Sequence, residues 1–206
     1  MPAFGFSSTS IGGPAHPGLA EVLAGASAAP LEDHRLIAFS RFFAGPELAA
    51  RLTDLEPLAT KLKPDVIVHE VAELSAPIVA ASQGIPLVTV GFGPLLELSV
   101  ADAAAQTAAP FWIARGLAPA RWAGLYRDLY LDPCPRSLQT PDIELLPNVQ
   151  GLRPGTSEPG EPPEWLAALR TPLVYLTLGT VFNKRRHVFD TVISALGTLP
   201  VPLLAT

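Results

Sequence analysis

Two titratable side chains follow a short run of β-branched residues in the first half of the chain. Val66-Ile67-Val68 predicts a buried parallel strand, and His69 and Glu70 come directly after it. Open α/β sheets bind ligands at the carboxyl ends of their strands, so a carboxylate here can orient and charge-stabilise a histidine base held elsewhere. The structural alternative is that Glu70 caps the next helix and His69 is a satisfied residue at the sheet edge.

A second candidate site follows the next predicted strand, at residues 86–90. Gly91 and Gly93 allow backbone conformations that other residues avoid, and Phe92 between them can form an apolar wall. The alternative is a plain turn that leads into a helix.

A third candidate site follows a strand predicted at residues 173–178. Gly179 lets a ligand approach the backbone, and the hydroxyl of Thr180 or the amide of Asn183 can donate to a phosphate or cap the next helix. Residues 184–186 are all basic and raise the local positive potential. The alternative for them is an ordinary solvated first helical turn.

Several other kinds of site are excluded. The sequence contains no Gly-x-Gly-x-x-Gly, no Walker motif and no His/Cys/Asp cluster with metal-ligand spacing, so we expect no metal. The single cysteine, Cys134, rules out an internal disulfide and fits a reducing compartment, so we expect a cytoplasmic protein. His16, His34 and His187 are isolated and are interpreted as surface or structural histidines.

Composition limits the partners. The 206 residues, 49% of them hydrophobic, can bury one full core, and the net charge of −5 with only 14 scattered basic residues argues against nucleic acid. Residues 74–96 carry no charge, but Pro77 and Pro86 divide them into pieces too short to span a membrane. The amino terminus has no basic region followed by an apolar core, so no signal peptide is predicted.

The pattern of apolar residues predicts an α/β fold with a parallel sheet. Leucines from Leu48 to Leu62 form one apolar face and predict a helix, which Pro57 kinks or splits. Gly84 is interpreted as the C-cap of a second helix, at residues 72–83. We predict helices at residues 18–26, 45–62, 72–83, 101–116, 118–130 and 185–197. We predict strands at residues 66–68, 86–90, 143–146, 149–152, 173–178 and 201–205.

A stretch rich in Pro, Gly, Ser and Glu, residues 153–163, has the composition of an interdomain linker. We therefore predict a first domain at residues 1–152, a linker at 153–171 and the first β-α-β unit of a second domain at 172–206. Two strands and one helix cannot bury a core of their own, so this second domain is predicted to be incomplete.

Four segments together resemble family 1 glycosyltransferases, and most closely the actinobacterial type that glycosylates macrolide- and enediyne-like natural products. These segments are Pro64-Asp-Val-Ile-Val-His-Glu70, Gly84-Ile-Pro86, Val90-Gly-Phe-Gly-Pro94 and Pro172-Leu-Val-Tyr-Leu-Thr-Leu-Gly-Thr-Val-Phe-Asn183. They occur in order and with sensible spacing between about Arg41 and the end of the chain. Their order makes the resemblance more specific than any single motif.

The resemblance implies the GT-B fold, in which a Rossmann-like acceptor domain faces a Rossmann-like donor domain across a cleft. It implies inverting, metal-independent transfer from a nucleotide-diphosphate sugar, which is a co-substrate, with no cofactor. Glu70 matches the acidic residue that supports a base histidine, and Gly179 and Thr180, with Asn183, match a loop that borders the donor. The residues assigned to the small, largely apolar acceptor are His69, Phe92, Gly93, Phe111 and Trp112.

The family's opening strand, glycine-rich turn and base histidine have no match before Arg41, and most of the donor domain has no match either. His16 lacks a preceding strand and is not assigned as the base. We therefore expect a chain truncated at both ends relative to the family. The alternatives are a non-catalytic module that binds a ligand or a protein, and a nucleotide-sugar epimerase of the same architecture, which would need no apolar wall of the kind that Phe92, Phe111 and Trp112 suggest.

Overall fold

The computed structural model describes residues 6–12, 19–153, 155, 160–169, 172–179 and 185–206. The chain divides into two compact units, Met1–Pro154 and Gly155–Thr206, and each unit has its own sheet. The boundary between the units falls within the Pro- and Gly-rich stretch of the sequence. The acceptor and donor roles assigned to the two parts remain predictions.

The first unit is an α/β structure in which helices alternate with short strands. Its α-helices are α1 Leu19–Ala28, α2 His34–Ile37, α3 Leu48–Leu62, α4 Ser75–Gln83 and α5 Leu98–Ile113. Its strands are β1 Ile67–Glu70, β2 Leu87–Val90, β3 Leu129–Asp132 and β4 Val149–Gly151. A π-helical segment, Ala38–Glu47, joins α2 to α3, and Gly45 departs from helical geometry (φ −110°, ψ −110°) just before Pro46.

The four strands form one parallel sheet in the order β1-β2-β3-β4. Ile67 lies opposite Leu87, Val88 opposite Leu129, and Tyr130 opposite Val149. Because all the strands run in one direction, their carboxyl ends meet at a single edge of the sheet. The predicted α/β fold with a parallel sheet is confirmed.

The helices on either side of β1 end in left-handed residues. Lys63 ends α3 with φ 47°, and its N–H donates to the carbonyl of Ala59 over 2.8 Å. Gly84 ends α4 with φ 67°, which costs little because glycine has no Cβ. The predicted C-cap at Gly84 is therefore confirmed. Pro57 lies inside α3 without splitting it.

The core lies between this sheet and helices α3, α4 and α5. The largest fully buried side chains include Tyr130, Leu48, Leu74, Ile78, Leu87 and Leu125. The predicted apolar face of α3 is only partly right, because Leu48 and Leu52 are buried whereas Leu62, at the end of the helix, is 64% exposed. Each large apolar side chain that is fully buried contributes roughly 1.5–3 kcal/mol to stability.

The helix predicted at residues 118–130 is wrong. A short 3-10 turn, Arg121–Gly124, occupies part of this range, and β3 begins at Leu129. Three consecutive residues, Trp122, Ala123 and Gly124, have positive φ angles of 53°, 55° and 80°, which a right-handed helix does not allow. A Cβ on Gly124 would lie 2.9 Å from Cζ2 of Trp112, so the turn also depends on glycine for space.

The strand predicted at residues 143–146 is also wrong. Pro141–Leu145 is a 3-10 helix with proline at its start, and the hydroxyl of Thr140 accepts a hydrogen bond from the N–H of Asp142. This capping outweighs the apolar run, because proline and a threonine cap both favour a helical turn. The next predicted strand is confirmed as β4.

The second unit contains a parallel two-stranded sheet among its described residues. Its elements are α6 Glu164–Ala167, β5 Val174–Leu176, α7 Arg186–Leu196 and β6 Leu203–Ala205. Val174 pairs with Leu203 and Leu176 with Ala205, so the predicted β-α-β order is confirmed. Tyr175 is 59% exposed and Ile193 is 45% exposed.

Candidate functional site

A cavity of about 170 Å³ opens at the carboxyl edge of the four-stranded sheet. Its lining comes from the residues that follow β1 and β2, from β3 and from the helical region before α3. The apolar lining residues are Phe39, Val71, Phe92, Pro94 and Leu96, and Gly93, Tyr130 and Arg35 complete the lining. This arrangement suits a small and largely apolar molecule.

Phe92 and Gly93 both lie in the lining of this cavity, as expected of an apolar wall. Phe92 is 70% exposed, which is unusual for so large an apolar side chain and leaves its ring free to contact a ligand. A Cβ added to Gly93 would meet no atom within 4 Å, so the space beside it is open. An acceptor contact for either residue remains a prediction.

The reason for glycine at position 91 differs from the one expected. Neither Gly91 nor Gly93 has a positive φ, so neither adopts the left-handed conformation that favours glycine. Gly91 is instead required for space, because a Cβ there would clash with the hydroxyl of Tyr130 and lie 3.1 Å from Cδ of Pro133. Tyr130, which lines the cavity, thus packs closely against Gly91.

Glu70 is the last residue of β1 and its side chain is exposed at the same edge of the sheet. Its Oε2 accepts a hydrogen bond from the N–H of Ala72 over 2.9 Å, and its backbone carbonyl accepts from the N–H of Glu73 over 3.0 Å. The carboxylate is thus held by its own turn next to Val71, which lines the cavity. Its role in supporting a base remains a prediction, and α4 begins only at Ser75, so Glu70 does not cap that helix.

His69 is buried and is not among the residues that line the cavity. Its Nδ1 donates to the carbonyl of Glu73 over 2.8 Å, and its Nε2 lies 2.7 Å from Oγ1 of Thr89. Burial lowers the pKa of His69 to about 4, although the hydrogen bond to Glu73 opposes this shift. The structure therefore supports the alternative of a satisfied structural histidine over an acceptor contact.

The hydrogen bonds of His69 continue to a third element. The hydroxyl of Thr89 also contacts the carbonyl of Leu125, which can only accept a hydrogen bond. The three hydrogen bonds, between His69 and Glu73, between His69 and Thr89, and between Thr89 and Leu125, need one proton each. A neutral imidazole and one hydroxyl supply only two protons. The Thr89 hydroxyl therefore donates either to Nε2 of His69 or to the carbonyl of Leu125, and a protonated His69 would satisfy all three contacts.

The structure does not bring Phe111 or Trp112 to the cavity. Both lie near the carboxyl end of α5, roughly 20 Å along the helix axis from Leu98, whose end of the helix adjoins the cavity. Trp112 is 3% exposed and belongs to the core, and the half-buried Phe111 packs against the same core. Their assignment to the acceptor remains a prediction that this position does not support, because aromatic character on a helix does not distinguish a core residue from a ligand contact.

The histidines of the chain do not supply a base to this site within the part that the structure describes. His34 is half-buried, with Nε2 3.2 Å from the carbonyl of Ala29, and His187 belongs to the second unit. His16 lies outside the described residues. Partial burial and the nearby Asp132 raise the pKa of the Cys134 thiol, which disfavours a reactive thiolate.

Only part of the predicted donor loop is described. Gly179 follows β5 with φ 73°, and its N–H donates to the hydroxyl of Thr177 over 3.1 Å. A Cβ at this position would meet nothing within 4 Å, and the left-handed φ is the feature that favours glycine. Thr180 and Asn183 lie outside the described residues, so their assignment to the donor remains a prediction.

The sequence analysis did not assign several residues that line the cavity, among them Arg35 and Phe39. These two residues are four residues apart on consecutive helical turns, a spacing that places them on one face. It also missed Tyr130, because that residue was expected on a helix. A strand prediction at residues 129–132, from the short apolar run that ends at Asp132, would have placed Tyr130 beside β2.

In the described part of the chain, every helix is too short or too polar to span a bilayer. In the same residues, no three His, Cys, Asp or Glu side chains are grouped so as to hold a metal ion. A reaction without metal or cofactor remains a prediction.

Comparison with known proteins identifies solved structures that share this fold. No protein-family model matches the chain, and no curated protein matches it. Solved structures do match. SnogD, a glycosyltransferase from Streptomyces nogalater, aligns with a TM-score of 0.67 at 18% identity over 98% of this chain and 54% of its own. The chain has the fold of these glycosyltransferases.

Two further neighbours are complexes. The glycosyltransferase SsfS6 from Streptomyces sp. SF2575, with thymidine diphosphate, aligns with a TM-score of 0.62 at 22% identity over 85% of this chain and 46% of its own. The spinosyn rhamnosyltransferase SpnG, with spinosyn aglycone, aligns with a TM-score of 0.60 at 22% identity over 97% of this chain and 51% of its own. The resemblance to natural-product glycosyltransferases of GT-B fold is confirmed for the fold, and the chain spans about half the length of these structures.

Proposed function

We propose that the chain is part of a glycosyltransferase and that its first unit binds the acceptor. The observation that carries this proposal is the apolar cavity at the carboxyl edge of the parallel sheet, with Phe92 on its wall and Glu70 at the end of the adjoining strand. The neighbours that share the fold have been solved with thymidine diphosphate and with an aglycone, which supports the same general activity.

The proposed reaction moves a sugar from a nucleotide-diphosphate sugar to a hydroxyl of a small, largely apolar acceptor. A base histidine takes the hydroxyl proton, and the oxygen attacks the anomeric carbon from the side opposite the diphosphate, so the configuration inverts. The bond to the diphosphate breaks and the nucleoside diphosphate leaves with the electron pair. A buried apolar site suits this step, because it holds the acceptor in place and excludes competing water.

Glu70 is proposed to hold the base histidine in the correct orientation and to stabilise its imidazolium form. One carboxylate oxygen is occupied by the N–H of Ala72, which fixes the direction of the other. A carboxylate is suited to this task because it accepts the second N–H of an imidazole. The loop at Gly179 in the second unit is proposed to border the diphosphate, and no metal or cofactor is proposed.

A non-catalytic binding module is the second candidate. The observation in its favour is that, among the described residues, no histidine side chain forms a hydrogen bond with the carboxylate of Glu70. Such a module would use the same cavity and would lack the transfer step. An epimerase would act on the nucleotide sugar alone, and the cavity with Phe92 gives it no support.

The test measures binding and transfer separately. The 206-residue chain is titrated with spinosyn aglycone and other polyketide aglycones, and each mixture with thymidine-diphosphate sugars is analysed for glycosylated product by mass spectrometry. The transfer assay is repeated with the chain joined to the donor domain of SnogD. We expect aglycone binding that Phe92→Ala weakens, and product when the donor domain is present. Binding without product in either form favours the module, and the absence of binding overturns the proposal.

A further inference from the structure

One charged side chain lies in the otherwise apolar lining of the cavity. Arg35 extends from α2 and lines it together with Phe39, Phe92 and Tyr130. Burial raises the pKa of Tyr130 to about 12, so its hydroxyl is neutral at physiological pH. Among the described residues that line the cavity, Arg35 alone carries a formal charge. A cation beside an apolar surface attracts ligands that combine an aromatic or aliphatic body with an acidic oxygen.

Arg35 is held only loosely in its present position. One guanidinium nitrogen donates to Oε1 of Glu97 over 3.0 Å, and the side chains of Arg35 and Glu97 are 60% and 52% exposed. Exposed ion pairs of this kind contribute little to stability, because water solvates both partners when they separate. A guanidinium has five N–H donors, and this pair uses one of them. An anion in the cavity can therefore replace Glu97 without a large cost.

Glu97 lies outside the lining of the cavity and directly before the first residue of α5. Its carboxylate is more than half exposed, so it stays hydrated after it releases Arg35. A ligand carboxylate at Arg35 would gain two parallel N–H···O bonds, the geometry that guanidinium groups favour. In the absence of an acidic ligand, the Arg35 guanidinium is thus paired with a carboxylate outside the cavity lining.

We propose that Arg35 determines acceptor specificity by selecting molecules with an acidic oxygen, either a carboxylate or an ionised phenol or enol, next to their apolar body. Glu97 is the counter-ion that such an acceptor displaces. This proposal rests on the proposed function, because it assigns the class of acceptor for the same cavity. The hydroxyl that receives the sugar is a separate group of the acceptor, and Arg35 takes no part in the proton transfer.

The experiment compares two isosteric probes, 2-naphthoate and 2-naphthamide, which differ in charge and hardly in shape. Their dissociation constants are measured by isothermal titration calorimetry with the 206-residue chain and with its Arg35→Gln variant. We expect the unmodified chain to bind 2-naphthoate about tenfold more tightly than 2-naphthamide, as a charge-assisted pair predicts. Arg35→Gln should remove this preference and leave the affinity for 2-naphthamide within about twofold.

Two further variants sharpen the result. Arg41→Gln makes the same charge change at an exposed arginine outside the cavity lining, so it controls for long-range electrostatics and should keep the preference. Glu97→Gln removes the competing carboxylate and should strengthen 2-naphthoate binding several-fold. The proposal is overturned if Arg35→Gln and Arg41→Gln weaken the binding of 2-naphthoate equally. It is also overturned if the preference for 2-naphthoate over 2-naphthamide persists in Arg35→Gln.

Phe92→Ala separates this proposal from the proposed function. If both naphthalene probes bind with equal affinity and Phe92→Ala weakens both, the cavity is a ligand site and the proposed role of Arg35 is wrong. If neither probe binds the unmodified chain, the apolar cavity is not a ligand site. In that case the proposed function and the role of Arg35 both fail.

Discussion

The imidazole Nε2 of His69 lies 2.7 Å from Oγ1 of Thr89, and the two residues are direct partners in the register of β1 and β2. Both side chains are buried, and the hydroxyl of Thr89 also contacts the carbonyl of Leu125. A polar link therefore runs through the core beneath the candidate site, from the turn after β1 to the segment before β3. Buried polar networks of this kind are costly to leave incomplete.

The first prediction concerns pH. Burial lowers the pKa of His69 from 6.5 to about 4 in the folded protein, and unfolding returns it to its ordinary value. Between these two values the unfolded chain binds more protons than the folded chain, so the stability falls as the pH drops from 6.5 towards 4. The loss from this group reaches about 2 kcal/mol at pH 5 and about 3 kcal/mol near pH 4. Urea unfolding of the 206-residue chain at pH 7.5, 6 and 5 measures it.

His69→Gln is the control for this prediction, because glutamine keeps a hydrogen-bonding side chain and does not titrate in this range. The variant should be less stable at pH 7.5 and should lose less stability on acidification than the unmodified chain. If the two proteins lose the same stability between pH 7.5 and 5, His69 is not the group responsible.

Thr89→Val tests the other half of the pair. Valine has nearly the same shape, so the change removes the hydroxyl and leaves Nε2 of His69 and the carbonyl of Leu125 without this partner. We expect a loss of about 1–3 kcal/mol in the free energy of unfolding. Thr107→Val makes the same change on the exposed side of α5 and should cost less than about 0.5 kcal/mol. Equal effects of the two substitutions would contradict the prediction.

Gly91→Ala should disturb the cavity itself. The added Cβ would clash with the hydroxyl of Tyr130 and crowd Pro133, and overpacking of this kind costs about 1–3 kcal/mol. Thermal unfolding measures the cost. Gly93→Ala, two residues along the same loop, meets open space and should change stability little. Because the closest contact is the Tyr130 hydroxyl, Tyr130→Phe should restore part of the lost stability in the double variant. If the stability changes of Gly91→Ala and Tyr130→Phe simply add in the double variant, the clash is not with the Tyr130 hydroxyl.

The sequence predicted the fold best where a pattern is local. The β-branched run before His69, the glycine that caps α4 and the strand after it were all placed correctly, because each depends on neighbours within a few residues. Residues 118–130 failed, since their composition favours a helix while Trp122 and Ala123 adopt left-handed angles. Gly124 in this turn packs closely against Trp112 of α5 and Pro77 of α4, and such tertiary contacts leave no local pattern in the sequence.

The candidate site was predictable only in part for the same reason. Glu70 and Phe92 follow predicted strands, and the end of a parallel strand is a general position for a ligand site. Trp112 and Phe92 are both large and aromatic, yet one is 3% exposed and the other 70%. Arg35 and Tyr130 come from segments about 95 residues apart, and only the assembled sheet brings them to one cavity.

Glu70→Gln tests the proposed chemistry. Glutamine keeps the size of the side chain and removes the charge that would stabilise a protonated base, so turnover should fall about 100-fold or more while the KM for the nucleotide sugar changes little. The measurement is sugar transfer by the chain joined to a donor domain. Asp65→Asn removes a carboxylate just before the same strand, at the opposite edge of the sheet, and should leave turnover unchanged. Because Glu70 is exposed, its substitution should not alter the thermal unfolding of the protein. Unchanged turnover in Glu70→Gln would remove this residue from the mechanism and leave the cavity as a binding site alone.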